Sequence, residues 1–165
     1  MTDCTDIKYQ IHNCDIKDSA EVESLIKQDL KALGKQRLDF VIFHPPYCDI
    51  IQFTEKQEDL SRVKDLDAFI EQFSLAVENS IKYLRAGKHF ALATGDVYRD
   101  GEVVPLGFLL MNAIKQKTES KLKGIVVKDM VGNRAKTGQE ALWRYRTLKS
   151  DTFLFKHEYI FVFKK

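Results

Sequence analysis

The sequence predicts an α/β fold, and three observations carry that prediction. Short apolar runs rich in β-forming residues alternate with stretches whose apolar residues recur at helical spacing. Polar residues follow at the carboxyl ends of several of those runs, where open α/β sheets bind their ligands. The last run, Glu158 to Lys164 (EYIFVFK), breaks the alternation, because no strong helical stripe separates it from the run before.

Taken in order, Tyr9 to Cys14 reads as a short strand with Asp15 at its carboxyl end. A helix starts near Asp18 or Ser19, carries Val22, Leu25, Ile26, Leu30 and Leu33 on one stripe, and stops at Gly34. Leu38 to Phe43 (LDFVIF) is a second strand, ended abruptly by His44-Pro45-Pro46-Tyr47, since two prolines cannot continue a ladder. Leu66, Phe69, Ile70, Phe73, Val77, Ile81 and Leu84 then recur at helical spacing, with Gly87 as the stop. His89 to Thr94 (HFALAT) is a buried-looking strand leading into Gly95-Asp96, and Pro105 opens a helix with Leu106, Leu109, Leu110, Ala113 and Ile114. A strand at Leu122 to Val127 and the final run close the chain; these two could pair as an antiparallel hairpin across a long excursion.

A chain of 165 residues, 44% hydrophobic and 30% charged, is of a size for one domain, taken here as residues 1–165, and has no apolar run of membrane-spanning length. Its start, MTDCTDIKYQ, has neither the basic flank nor the apolar stretch of a signal peptide, which points to the cytoplasm. Cys4, Cys14 and Cys48 are odd in number and lack paired spacing, as expected of free thiols in a reducing compartment. Cys4, His12 and Cys14 find no fourth ligand at zinc-site spacing, so no metal is expected.

The chemistry concentrates at one sheet edge. Asp15, the HPPY run and Gly95-Asp96 all follow strands. Pro45 and Pro46 stiffen their loop and leave backbone carbonyls available as acceptors. Tyr47 offers a ring face for stacking a planar base, and a neutral His44 both donates and accepts. A second signal is charge: from Lys128 to Lys149, within a basic insertion at about 128–151, Lys128, Arg134, Lys136, Arg144, Arg146 and Lys149 stand against only Asp129 and Glu140. Trp143 and Tyr145 are interleaved with those arginines, the mixture that neutralises phosphates and stacks on bases or sugars. A solvated basic loop with Trp143 packed on the core is the alternative. The formal charge of the whole chain is only +2, so the distribution carries this point.

LDFVIFHPPYCDIIQF resembles the catalytic motif of the DNA amino-methyltransferases that modify adenine N6 or cytosine N4, usually Asp, Asn or Ser followed by Pro-Pro-Tyr. LDAFIEQF…IKYLRAGKHFALATGDVY and FLFKHEYIFVFKK look like that family's helix–turn–strand ending in Gly-Asp and its closing strand. The resemblance implies a partial Rossmann-like methyltransferase sheet with helices on both faces and a C-terminal antiparallel strand pair. It also implies S-adenosylmethionine as cofactor, with Asp15 and Asp96 as candidate contacts, and DNA as substrate, in a site-specific enzyme of the restriction-modification kind. By the same resemblance, the Pro45 carbonyl and His44 grip the two N–H bonds of an exocyclic amino group, with Tyr47 stacked on a base flipped from the duplex. Gripping matters because that nitrogen's lone pair is delocalised into the ring. His44 departs from the usual Asp, Asn or Ser: a neutral imidazole has one acceptor nitrogen and an imidazolium none.

The largest departure is the absence of the family's glycine-rich loop, commonly near Asp-Pro-Phe-x-Gly-Ser-Gly, that wraps the cofactor. The eight glycines here are scattered. Two central strands of the family's sheet are also expected to be missing, which suggests part of a split or permuted enzyme, or a truncated remnant. Such a chain would self-associate or bind a complementary methyltransferase chain. A catalytically inactive nucleic-acid-binding remnant and an RNA methyltransferase are the alternative readings.

Overall fold

A computed structural model of the chain describes residues 9–129, 145, 148, 149, 151, 153 and 156–165. Helix α1 (Ser19–Ala32) starts where Asp18 accepts the N–H groups of Ala20 and Glu21, and it buries Val22 and Leu30. Strand β1 (Leu38–Phe43) follows, then a 3-10 turn (Leu60–Arg62) and helix α2 (Leu66–Ile81), capped by Asp65. Strand β2 (Leu84–Thr94) leads into a small hairpin, β3 (Val97–Arg99) and β4 (Glu102–Val104). Helix α3 (Leu106–Lys117) and strands β5 (Lys121–Asp129) and β6 (His157–Lys164) complete the order.

The main sheet runs β1-β2-β6-β5. β1 and β2 are parallel, whereas β6 is antiparallel to both β2 and β5. The expected antiparallel pair at the C-terminal end is therefore present, with the basic segment as its connection. β6 fills the centre of the sheet, consistent with an apolar run in which Phe161 and Phe163 are fully buried. Phe90 stacks on Phe163 with ring centroids 5.0 Å apart and planes 8° from parallel, and Phe43 meets Phe90 and Phe73 edge-on. Phe73 brings α2 to this face, and Leu106, Leu110 and Ile114 bring α3 into the same core. α1 packs on α2. On the opposite face, Phe40, Ile42 and Val126 stay about half exposed or more, at 49%, 64% and 51%.

Close approach of α3 to the sheet depends on Gly107. A Cβ built there would lie 3.2 Å from ring carbons of both Phe161 and Tyr159 and 3.4 Å from Thr94 Cγ2.

Two local expectations are corrected. The helical stripe read as reaching Leu84 ends at Ile81, and Leu84 opens β2 instead. Gly87, expected to stop that helix, sits inside β2 at φ 76°, where pairing with β1 slips, and its N–H donates to the Lys165 carbonyl at 3.0 Å. Tyr9 to Cys14 is not a strand: Tyr9 and Ile11 are 81% and 88% exposed. A strand needs a neighbour to pair with, and among the described residues this segment pairs with neither β1 nor any other strand. Farther along, Asn79 of α2 donates to the Ile16 and Lys17 carbonyls.

Candidate active site

The HPPY loop leaves the carboxyl end of β1 and turns under the carboxyl end of β2. His44 is exposed, Pro45 buried, and Pro46 and Tyr47 half-buried. Cys48, at φ 54°, makes the turn that follows; its thiol donates to the Val63 carbonyl at 3.0 Å, which ties the loop to the end of the 3-10 turn. The next stretch is shaped by the 3-10 turn. Asp59 accepts from Thr54 and Ser61, and the Ser61 hydroxyl accepts the Phe53 N–H at 3.0 Å. Ile50, Ile51 and Phe53 are held over the loop while 55%, 63% and 67% exposed.

Between HPPY and this apolar rim lies a cavity of about 480 Å³, with Glu158 on its wall. That is room for a planar base. Tyr47 O–H donates to Glu158 Oε1 at 2.8 Å, and Lys128 Nζ donates to Oε2 at 2.8 Å. The His44 and Tyr47 rings lie 6.2 Å apart, 61° from parallel. Burial, then the neighbouring Glu158, pushes the Tyr47 phenol well above its ordinary range, so it stays a neutral donor. The Glu158 carboxyl is held below its ordinary range by Lys128 first, then by Tyr47, against the opposing effect of burial. The site thus offers a neutral phenol, a carboxylate, an imidazole and an apolar wall.

The remaining sequence candidates divide. Asp15 lines a neighbouring cavity of about 290 Å³ that also touches Pro46 and Phe53. Its side chain accepts the Lys17 N–H at 3.0 Å and its carbonyl accepts the Asp18 N–H at 2.9 Å, as a turn residue opening α1. Asp96 receives the Gly107 N–H at 3.4 Å; burial raises its carboxyl above the ordinary range. Lys128 is committed to Glu158. Tyr145 and Lys149 are exposed, while Arg134, Lys136, Trp143, Arg144 and Arg146 lie outside the described residues. Glu158 is the residue that sequence reasoning missed, although it lay in plain view within HEYIF. The signal was topological: the amino end of an antiparallel β6 shares an edge with the carboxyl ends of β1 and β2, as the Thr94–Tyr159 pairing shows.

No family model matches the chain, and no curated protein does. Solved structures do. Three crystal structures of TTHA0409 from Thermus thermophilus, provisionally named a DNA modification methylase, share this fold at 15–17% identity. One aligns with a TM-score of 0.58 over 96% of this chain and 54% of that one. The selenomethionine derivative gives 0.53 over 84% and 49%. The form complexed with S-adenosyl-L-methionine gives 0.53 over 84% and 52%. The chain is a mixed α/β domain with the fold of that protein, and it spans about half the length of those structures.

The described residues do not make a cradle for such a cofactor. Asp15 and Asp96 are engaged in local turns and caps, and no glycine-rich loop follows a strand to let backbone approach a ligand closely. Among the described residues, no helix is long and apolar enough to cross a membrane, and no group of metal-ligating side chains occurs.

Proposed function

We propose that this chain is the target-base part of an S-adenosylmethionine-dependent methyltransferase acting on an exocyclic amino group of a DNA base, adenine N6 before cytosine N4. The observation that carries the reading is the HPPY loop itself: it stands at a strand's carboxyl end and walls a base-sized cavity, in a fold shared with TTHA0409. Tyr47 and the apolar rim hold the base, and the Pro45 carbonyl and His44 receive its amino N–H bonds, drawing the nitrogen lone pair out of ring conjugation. The basic connection between β5 and β6 neutralises phosphates. On this reading the methyl donor is held by a complementary polypeptide or a second copy that adds to the sheet beyond β1.

A non-catalytic nucleic-acid-binding role is the second reading, favoured by the local engagement of Asp15 and Asp96. Isothermal titration with S-adenosylmethionine and transfer of labelled methyl to DNA decide between them, each run on the chain alone and with the adjacent gene product. Methylation of DNA by the mixture supports the proposal. DNA binding without methylation in either preparation supports the second reading, and methylation of RNA alone overturns the choice of substrate.

A further inference from the structure

We propose that Glu158 is the anionic acceptor of the base pocket, oriented by Tyr47 and Lys128, and that it selects bases bearing an amino group over their oxo counterparts. The inference rests on the reading of this cavity as a base site. Its grounds are geometric. Glu158 stands at the amino end of β6, one residue before Tyr159, which pairs with Thr94 at the end of β2. Its carboxylate lines the same cavity as His44, Pro45 and Tyr47, and its side chain is only 15% exposed.

Two donors fix it, one on each oxygen: Tyr47 O–H on Oε1 and Lys128 Nζ on Oε2, both at 2.8 Å. A carboxylate has about four lone-pair sites, so acceptor capacity remains on both oxygens after these bonds form. Holding the group from both ends removes the rotamer freedom that a ligand would otherwise have to freeze. The pocket consequently contains a preoriented negative acceptor, which an imidazole at position 44 does not supply. Adenine and cytosine present N–H donors to such a group. Hypoxanthine and uracil present a carbonyl oxygen at the same place, which a carboxylate repels. Lys128, read from sequence as a phosphate contact, acts here as a positioning residue.

The test uses the full chain and single-stranded oligonucleotides of equal length that carry one base among abasic positions. The pairs compared are adenine against hypoxanthine and cytosine against uracil. Charge is the same within each pair, so the phosphate contribution cancels in the affinity ratio. Fluorescence anisotropy should show the amino base bound about tenfold more tightly by the wild type, a difference of about 1.4 kcal/mol. Glu158→Ala should bring the ratio close to one without weakening binding of the oxo-base oligonucleotides. Tyr47→Phe, which frees the carboxylate from one anchor, should lower the ratio partway. Circular dichroism checks that each variant folds; Glu158→Gln, which keeps the shape, should also reduce the ratio and serves if alanine does not fold. An unchanged ratio in a folded Glu158 variant overturns the role of Glu158 while leaving the base site standing. Failure of the wild type to bind any of the oligonucleotides overturns the base-site reading and this inference with it.

Discussion

Replacing Tyr47 by phenylalanine removes one hydroxyl and keeps the ring, so its consequences can be worked from the contacts. The lost bond is O–H to carboxylate, 2.8 Å long, on a glutamate whose side chain is 15% exposed. Hydrogen bonds to charged groups contribute roughly 1.5–3 kcal/mol, and Lys128 still partners Glu158 in the variant, so a loss of about 1–2 kcal/mol is expected. For a chain of this size that is a fall in Tm of roughly 3–6 °C. The pH dependence gives a second reading. Glu158 titrates below its ordinary range in the folded protein, so its contribution is present above the unfolded value, about 4.3, and disappears as pH falls through the folded value. Tyr47 titrates above its ordinary range, so its contribution is complete below about 10 and is lost as pH rises beyond that. The variant should therefore be less stable at pH 7, show a smaller loss on acidification below pH 5, and lack this residue's alkaline decline. Urea unfolding at pH 4, 7 and 10.5 measures all three. Equal stability at pH 7 with unchanged acid and alkaline limbs would refute the Tyr47–Glu158–Lys128 arrangement.

In the completed enzyme, His44→Asn should retain substantial methyl transfer because it keeps a carbonyl acceptor, whereas His44→Ala should lose far more in kcat than in DNA affinity; parallel rate and binding measurements check this. Substituting both Arg144 and Arg146 by alanine should weaken DNA binding for every sequence and flatten its salt dependence in a salt titration, by about one unit of slope for each phosphate left without its arginine. Gly107→Ala gains up to about 1 kcal/mol of helix propensity but sets a methyl 3.2 Å from two rings held in the central strand, so a net loss of about 1–2 kcal/mol is expected in urea unfolding. Ile42→Lys should reduce self-association in light scattering without lowering Tm, since the side chain is already 64% exposed.

The elements easiest to read from sequence were those whose local chemistry and tertiary packing agree. α1 has an Asp18 cap, a clean stripe and a glycine stop, and it lies where those marks place it. β1 ends at two prolines for a reason internal to the chain, which is why the HPPY loop could be placed at a strand's end in advance. The end of α2 was misplaced because Leu84 continues the helical stripe by spacing alone, while its burial comes from pairing in β2 with Leu38. The β3–β4 hairpin was missed because each strand is only three residues long, too short for a period to show. Glu158 was missed for a different reason. Its importance depends on β6 running against β2, and strand direction is not written in a run of aromatic and β-branched residues.

Tyr9–Cys14 has a strand-like sequence but no strand neighbour, and this bears on the whole molecule. Among the described residues, β1 pairs only on its β2 side. Its other edge has no partner among those residues, and Phe40 and Ile42 leave about half or more of their surface in water. At about 150–250 Å² for a large side chain and ~25 cal/mol per Å², covering these two residues would contribute roughly 5 kcal/mol before costs. Association itself costs an estimated 4–15 kcal/mol, so two side chains make at best a weak dimer. A partner that also pairs its own strand along the β1 edge would add ladder hydrogen bonds and a larger apolar face. A strand added along this edge would thus contribute through backbone hydrogen bonds as well as through cover for Phe40 and Ile42.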